Sequence, residues 1–297
     1  MKSLSFLTIA LTAAVGLVAP IAAQADASQP APKLKVTNAG DGPKAQLRYA
    51  FKKGQKAKLT VASDMRMSMA VGDKSMPPMS LPTVTQTLKA DVTGVAANGD
   101  TTLRLEIVKA AVTGQGPDEL VDQLKKEMDA LAGAKVTLVF STRGSQISSD
   151  IAPGPKASPQ STEMLDGVLG AIKQLIPYLP EEEVGAGATW EVAQPVAAKF
   201  GTVSQTAKYK LKGAKGDKMD VEWSIAQSAK SQKVPVPGAP PGTTATLKSL
   251  EGKGTGSGQL GLKKLGLAGD SSADVQLVMN TQGQDLKMGM STAMKVK

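Results

Sequence analysis

Most of the chain consists of long runs in which apolar and polar residues alternate, separated by short turns rich in Gly, Asn and Asp. Alternation with a period of two places every second side chain on the same face of a β-strand. Leu103, Leu105 and Ile107, for example, alternate with charged residues, and the Asn98-Gly99 pair before them is typical of a β-hairpin turn. The pattern predicts one domain of antiparallel strands over 45–297.

Two segments depart from this alternation and show the period of an α-helix. The segment 117–131 begins with Pro117 and is followed by Gly133, a residue typical of helix C-terminal ends. The segment 161–176 is predicted to start at Ser161 and has an apolar stripe that is too broad for a helix resting on a surface. This second helix is predicted either to fill the core or to cover an apolar opening.

The N-terminal residues have the pattern of a secretory signal peptide. A short basic start is followed by an apolar stretch over 4–21 and by Ala23-Gln24-Ala25, so the predicted signal peptide spans 1–25 with cleavage after Ala25. Residues 26–44 are rich in Pro, Ala, Gly and Lys and are predicted to form a flexible tether. No cysteine follows the apolar stretch, so we expect a periplasmic or secreted protein without a stable membrane anchor.

The absence of histidine and cysteine limits the chemistry that this chain can perform. It removes Ser-His-Asp and Cys-His catalysis, histidine-based acid–base chemistry and the ordinary zinc sites. We therefore expect no enzyme, no metal and no cofactor. The net charge is +9, but aromatic residues make up only 3% of the chain, so platforms for stacking nucleic-acid bases are not expected.

Methionine is concentrated in two of the predicted strands. Met65, Met67 and Met69 follow one another at two-residue spacing, and Met288 and Met290 repeat this near the C-terminus. Three interpretations stay open: an ordinary core, an adaptable lining for a cavity that accepts acyl chains, and a soft-metal site for Cu(I). Same-face neighbours in one strand lie about 6.6 Å apart, which makes a shared ion hard to build from the triplet alone.

Two other patterns are not interpreted as sites. Adjacent carboxylates in 181–183 point in different directions, so a solvated charge run is the expected structure. The glycine-rich segment 252–258 does not satisfy the phosphate-binding motif G-x-x-x-x-G-K-[ST], and no helix is predicted after it.

Two short motifs suggest a family. One is Arg48-Tyr49-Ala50-Phe51-Lys52-Lys53-Gly54, and the other consists of Leu179-Pro180, Val184, Gly187 and Trp190 before a strand. Together they resemble an uncharacterised family of exported bacterial proteins and lipoproteins. The strand count and helix positions are also similar to the LolA/LolB and LppX/LprG group of envelope lipid and lipoprotein carriers. The resemblance implies a strongly curved antiparallel sheet, an unclosed barrel, that encloses an apolar cavity capped by helices.

The expected fold is thus mainly β (α+β), with two helices across the concave side of a curved sheet. The expected function is non-enzymatic binding or transport of a lipid or other apolar small molecule in the cell envelope. The predicted cavity lining consists of Met65, Met67, Met69, Leu165, Val168, Leu169, Ile172, Ile176, Met288 and Met290. The alternative is an envelope structural protein that binds a protein partner, has a filled core and takes no small molecule.

Overall fold

The computed structural model describes residues 32–114, 116–158, 161, 165, 176–198, 201–235, 244–281 and 283–297. This part of the chain is mainly β. Its strands are β1 (Lys33–Asn38), β2 (Asp41–Ala45), β3 (Lys56–Val71), β4 (Lys74–Ser75), β5 (Met79–Val95), β6 (Thr101–Thr113), β7 (Lys135–Phe140), β8 (Gln146–Ala152), β9 (Val184–Ala186), β10 (Thr189–Ala198), β11 (Gly201–Lys215), β12 (Lys218–Ala229), β13 (Gln232–Pro235), β14 (Thr244–Gly261), β15 (Leu267–Thr281) and β16 (Gln284–Val296). One helix, α1 (Asp118–Ala130), lies between β6 and β7.

Fourteen strands form one antiparallel sheet, as the alternation predicts. Its order is β1-β10-β11-β12-β14-β15-β16-β3-β5-β6-β7-β8, while β13 pairs with β14 and β4 with β3. Strands β2 and β9 form a separate pair. Most neighbouring strands are connected by short turns, whereas the pairing of β16 with β3 joins the two halves of the chain.

The two faces of this sheet differ in chemistry. One side of the sheet carries Val61 and Met67 of β3 and Leu250 and Leu260 of β14, all of them buried. We call this side the inner face. Following the register from these residues, no Asp, Glu, Lys or Arg of the twelve strands in the order above falls on the inner face. The charged residues of these strands lie on the opposite face, at strand ends or at bulges.

Buried apolar residues on the inner face form two separate clusters. The larger cluster contains Trp190 of β10, Phe140 of β7, Leu131 after α1, and Tyr49. The methionine cluster lies towards the other end of the strands and is built from Met67, Val203, Val234, Ala245, Leu247, Leu250, Val275, Leu277, Met279, Met288 and Met290. The interior is therefore not one continuous packed core among the described residues.

Two local predictions are confirmed. Helix α1 buries Leu120, Leu124 and Met128, and Gly133 follows it with a positive φ of 82°. The Asn98-Gly99 pair turns the chain between β5 and β6, where Gly99 has a φ of 87°.

The predicted tether over 26–44 is wrong for the residues from Lys33 onward. Lys33–Asn38 forms β1 and pairs with β10, and Asp41–Ala45 forms β2 and pairs with β9. Leu34 and Val36 pack against the larger cluster, so two apolar residues in an otherwise polar segment suffice for an edge strand.

Two segments depart from the simple pattern of alternation. Residues 46–52 alternate in the same way but form no strand, because Tyr49 N–H bonds to Thr142 and Ala50 N–H to Leu262, in the turns of two different hairpins. Pro82 lies within β5 although it has no backbone N–H, because the register with β3 shifts there and no ladder donor is required.

The second predicted helix lies largely outside the described residues, so the expectation of two helices is not decided. Near its start, Ser158 N–H donates to the Ser161 hydroxyl at 2.7 Å and Ser161 N–H donates to the Ser158 hydroxyl at 2.9 Å. Reciprocal bonds of this kind between residues three apart also occur in a capping box.

Candidate functional site

The predicted methionine strands are neighbours in the sheet. Strands β3 and β16 pair so that Met67 lies opposite Met290 and Met69 opposite Met288. Met65, Met67 and Met69 share the inner face, while the residues between them are exposed. The spacing therefore gives the correct face for all three, and the pairing brings both methionine strands into one cluster.

Burial divides these methionines into two groups. Met67, Met288 and Met290 are only 3%, 4% and 1% exposed, so packed side chains surround them almost completely. Met65 and Met69 are partly exposed at the border of the cluster. Packing of this kind favours the core interpretation for the first three, while Met65 and Met69 stay candidates for a cavity lining.

Between the two clusters the inner face is only partly covered. We call this region the central patch; it spans β12, β14, β15, β16 and β3 in two adjacent rows, all of whose residues are partly exposed. The rows are Ile225, Gly254, Ala273, Thr292 and Met65, and Trp223, Gly256, Ser271, Met294 and Ser63. Small residues predominate, so the side chains of the patch project less far from the sheet than those of the clusters on either side.

The glycines of β14, not interpreted as a site from the sequence, contribute to this patch. A Cβ atom on Gly256 would lie 2.4 Å from the indole ring of Trp223, so the ring rests directly on the backbone there. Glycine at this position allows the ring to lie flat against the strand, since any side chain would have to displace it.

A row of polar side chains borders the central patch. Gln194, Gln205 and Gln227 lie next to one another on β10, β11 and β12. Gln227 Nε2 donates to Gln205 Oε1 at 2.8 Å, and the two residues are 7% and 6% exposed. The Gln227 carboxamide oxygen lies over Gly252, where a Cβ atom would approach it to 2.9 Å. This pair is not predictable from the sequence, because only the register shows that the glutamines meet on an apolar face.

A stacked aromatic pair lies beside the patch. The rings of Trp190 and Tyr209 stack at 5.4 Å between centroids. Burial raises the pKa of Tyr209 to about 12, and burial followed by the nearby Tyr209 raises the pKa of Tyr49 well above its usual range. Both phenols are therefore neutral near pH 7, which extends the uncharged character of this side.

The predicted lining residues of the second helix are only partly described. Leu165 is fully buried in the larger cluster, and Ile176 is partly buried against it. Val168, Leu169 and Ile172 lie outside the described residues.

The segment after Ile176 is bound by side chains along its whole length. We call 177–181 the strap, because each of its five carbonyl groups accepts a side-chain hydrogen bond. The donors are Tyr49 to Pro177, Trp190 to Tyr178, Arg143 to Leu179, and Arg48 to both Pro180 and Glu181, with Gln46 as a second donor to Glu181. Arg143 also pairs with the Glu181 carboxylate at 3.2 Å and lies 4.9 Å from the Tyr178 ring.

The strap explains why the two short motifs of the sequence analysis occur together. Arg48 and Tyr49 come from the first motif and Trp190 from the second, and all three bind the strap. Two of the four arginines of a lysine-rich chain act here, because a guanidinium can donate to two carbonyl groups at once. Sequence reasoning missed this role, since backbone acceptors leave no side-chain pattern.

Comparisons with known proteins add no relative. Neither the scan against protein-family models nor the search of curated proteins gives a match for this chain. None of the described residues forms a helix with the length and apolar character needed to span a membrane.

Proposed function

We propose that this protein is a non-enzymatic binder or carrier of a lipid or other apolar ligand in the bacterial cell envelope, and that the ligand lies on the central patch. One observation carries the proposal: ten inner-face residues on five consecutive strands are partly exposed between two buried apolar clusters. A filled interior would bury these positions as completely as it buries their neighbours.

The proposal includes a strongly curved sheet with the patch on its concave side. Trp190 of β10 donates to the Tyr178 carbonyl, and Arg143 in the turn after β7 donates to the adjacent Leu179 carbonyl, although nine inter-strand spacings separate β10 from β7 in the sheet order. In a flat sheet these spacings of about 4.8 Å would hold the two strands roughly 43 Å apart. Hydrogen bonds from both strands to adjacent residues support curvature that brings the two ends of the sheet towards each other.

The second helix would cover the concave side as a lid. Leu165 near its start and Ile176 at its end both contact the larger cluster, and the strap fixes the chain directly after it. An apolar stripe broader than a surface helix needs would then face the ligand. Val168, Leu169 and Ile172 are the residues of this stripe that we assign to the lining.

The location of this activity rests on the N-terminal pattern. A signal peptide cleaved after Ala25 would deliver the protein to the periplasm or the exterior. There, binding by packing alone needs neither a cofactor nor the histidine and cysteine residues that the chain lacks.

Organic extraction of the purified protein followed by mass spectrometry tests the proposal. We expect an apolar compound in a fixed ratio to the protein across independent preparations. Repeated recovery of none, together with a crystal structure whose patch is filled by side chains of the same chain, would reject the proposal.

A second candidate is an envelope structural or protein-interaction protein with a filled core. The burial of Met67, Met288 and Met290 favours it, since three of the predicted lining residues are packed. Both candidates predict that Met67→Asp lowers the free energy of unfolding. Only the second predicts that pull-down from envelope extracts enriches one protein while no apolar compound accompanies the purified chain.

A further inference from the structure

We infer that the buried polar group of the ligand is uncharged and is held by the Gln205–Gln227 pair, while its apolar part crosses the central patch towards Met65. This inference rests on the proposed function and names the chemical class of ligand: a long-chain amide, ester or alcohol rather than an acyl anion or an ammonium amphiphile.

The first support is the absence of charge. Among the described strands of the sheet order, no acidic or basic side chain lies on the inner face. An ionised carboxylate, phosphate or ammonium brought there would lose its hydration without an opposite charge to compensate, a cost of several kcal/mol. A neutral head group avoids this cost.

The second support is the glutamine pair itself. Two carboxamides make one hydrogen bond with each other, and within the described residues no other partner occupies Gln205 Nε2 or Gln227 Oε1. Exchanging the O and N positions of both amides does not change this count: after their mutual hydrogen bond, the pair still has one carboxamide oxygen and several N–H groups available to a ligand. Such a pair can both donate to and accept from one ligand group, as an amide, ester or hydroxyl requires.

The third support is the path that leads away from the pair. Gln227 and Ile225 are same-face neighbours on β12, so the polar pair adjoins the first residue of the patch. From Ile225 to Met65 the row crosses four inter-strand spacings, about 19 Å, over Gly254, Ala273 and Thr292. An extended apolar chain fits this length and meets partly exposed, uncharged residues along it.

Three probes that share one apolar chain test this inference: dodecanamide, dodecan-1-ol and dodecanoate. Delipidated full-length protein is titrated with each below its aggregation concentration, near pH 8 where the acid is ionised. The fluorescence of Trp223, which lies in the patch, reports binding. We expect the amide and the alcohol to bind at least about tenfold more tightly than the carboxylate.

Substitution of each glutamine tests whether the pair binds the polar group of the ligand. Gln227→Leu and Gln205→Leu keep the side-chain volume and should each weaken dodecanamide about fivefold, while changing dodecanoate affinity little. Gln276→Leu is the matched control, because Gln276 is exposed on the opposite face of β15. Circular dichroism of each variant verifies that it is folded.

The proposed function and the assignment of the head group are contradicted by different results. If none of the three probes binds the wild-type protein, the proposed function itself fails. If all three bind equally and the glutamine variants bind like the wild type, apolar binding stands and the assignment of a neutral head group to Gln205–Gln227 is overturned.

Discussion

The Thr292 hydroxyl oxygen is buried on the inner face without a hydrogen-bond partner in the described part of the chain. An unpaired buried hydroxyl lowers stability, and replacement by an apolar group of the same shape removes that cost. We expect Thr292→Val to raise the free energy of unfolding by about 1 kcal/mol in denaturant titrations of the delipidated protein.

The control for this change is Thr255→Val on the exposed face of β14. Thr255 is exposed and its hydroxyl bonds to that of Ser272, so removing it should bring no gain. Equal effects of the two substitutions would show that the Thr292 hydroxyl is satisfied in solution.

Because Gly256 has no side chain, the indole ring of Trp223 can pack directly against its backbone. Gly256→Ala would place a Cβ atom 2.4 Å from the indole, so the ring must move. We expect a shifted Trp223 emission spectrum and a loss of about 1–3 kcal/mol, the usual cost of overpacking. Gly213→Ala is the control, because a Cβ atom there meets nothing within 4 Å; an unchanged spectrum for Gly256→Ala would contradict the close contact.

The raised pKa of Tyr209 predicts how the stability of the fold changes at alkaline pH. Its folded pKa of about 12 lies above the value near 10 of an unfolded tyrosine, so the unfolded chain loses its proton first. Stability should therefore be unaffected by this group below about pH 10 and fall between about pH 10 and 12, by up to roughly 1.4 kcal/mol per pH unit.

Denaturant titrations of wild type and Tyr209→Phe across this pH range measure the effect of Tyr209 separately from that of the lysines. The variant should show a shallower decline above about pH 10. Parallel declines would mean that Tyr209 ionises freely in the folded protein.

Among the elements, the strap depends on side chains that come from distant parts of the chain. Arg48 donates to Leu47, Pro180 and Glu181 at 2.7, 2.8 and 3.1 Å. Arg48→Met keeps much of the apolar stem but removes the donor to the Pro180 carbonyl and one of the two donors to the Glu181 carbonyl, so we expect a loss of about 1–3 kcal/mol in the free energy of unfolding.

Arg66→Met provides the comparison for this arginine. Arg66 is exposed on β3, and its loss should change stability by less than about 0.5 kcal/mol. If Arg48→Met were equally neutral, the strap would not depend on its side-chain hydrogen bonds.

At the level of elements, the sequence predicts what depends on local pattern. Period-two alternation identified the sheet and the inward face of Met65, Met67 and Met69, and helical spacing identified α1. Residues 46–52 alternate too, yet their backbone bonds to two distant turns replace a strand partner. Such partners are set by tertiary contacts and leave no period in the sequence.

For the whole molecule, long-range pairing carries the candidate site and could not be predicted. The neighbourhood of β16 and β3 unites the two methionine strands, and the register of β11 with β12 joins Gln205 to Gln227. Alternation shows which residues share a face within a strand, but it does not show which strand lies beside it. The central patch is formed by residues of five strands and therefore depends on how all five are paired.

The central claim is that this patch is unfilled by the protein itself and holds an apolar ligand. Ala273 lies in the middle of the patch, whereas Ala226 is exposed on the opposite face of the sheet. The two residues allow the same enlargement, alanine to phenylalanine, inside and outside the proposed site.

The decisive measurement is the amount of apolar compound that mass spectrometry finds in organic extracts of wild type, Ala273→Phe and Ala226→Phe, with the stability of each. We predict a full load for wild type and Ala226→Phe and a strongly reduced load for Ala273→Phe, which should keep near-wild-type stability because the new ring occupies open space. A loss of about 1–3 kcal/mol in Ala273→Phe, with no apolar compound in any of the three proteins, would show a filled core and contradict the claim.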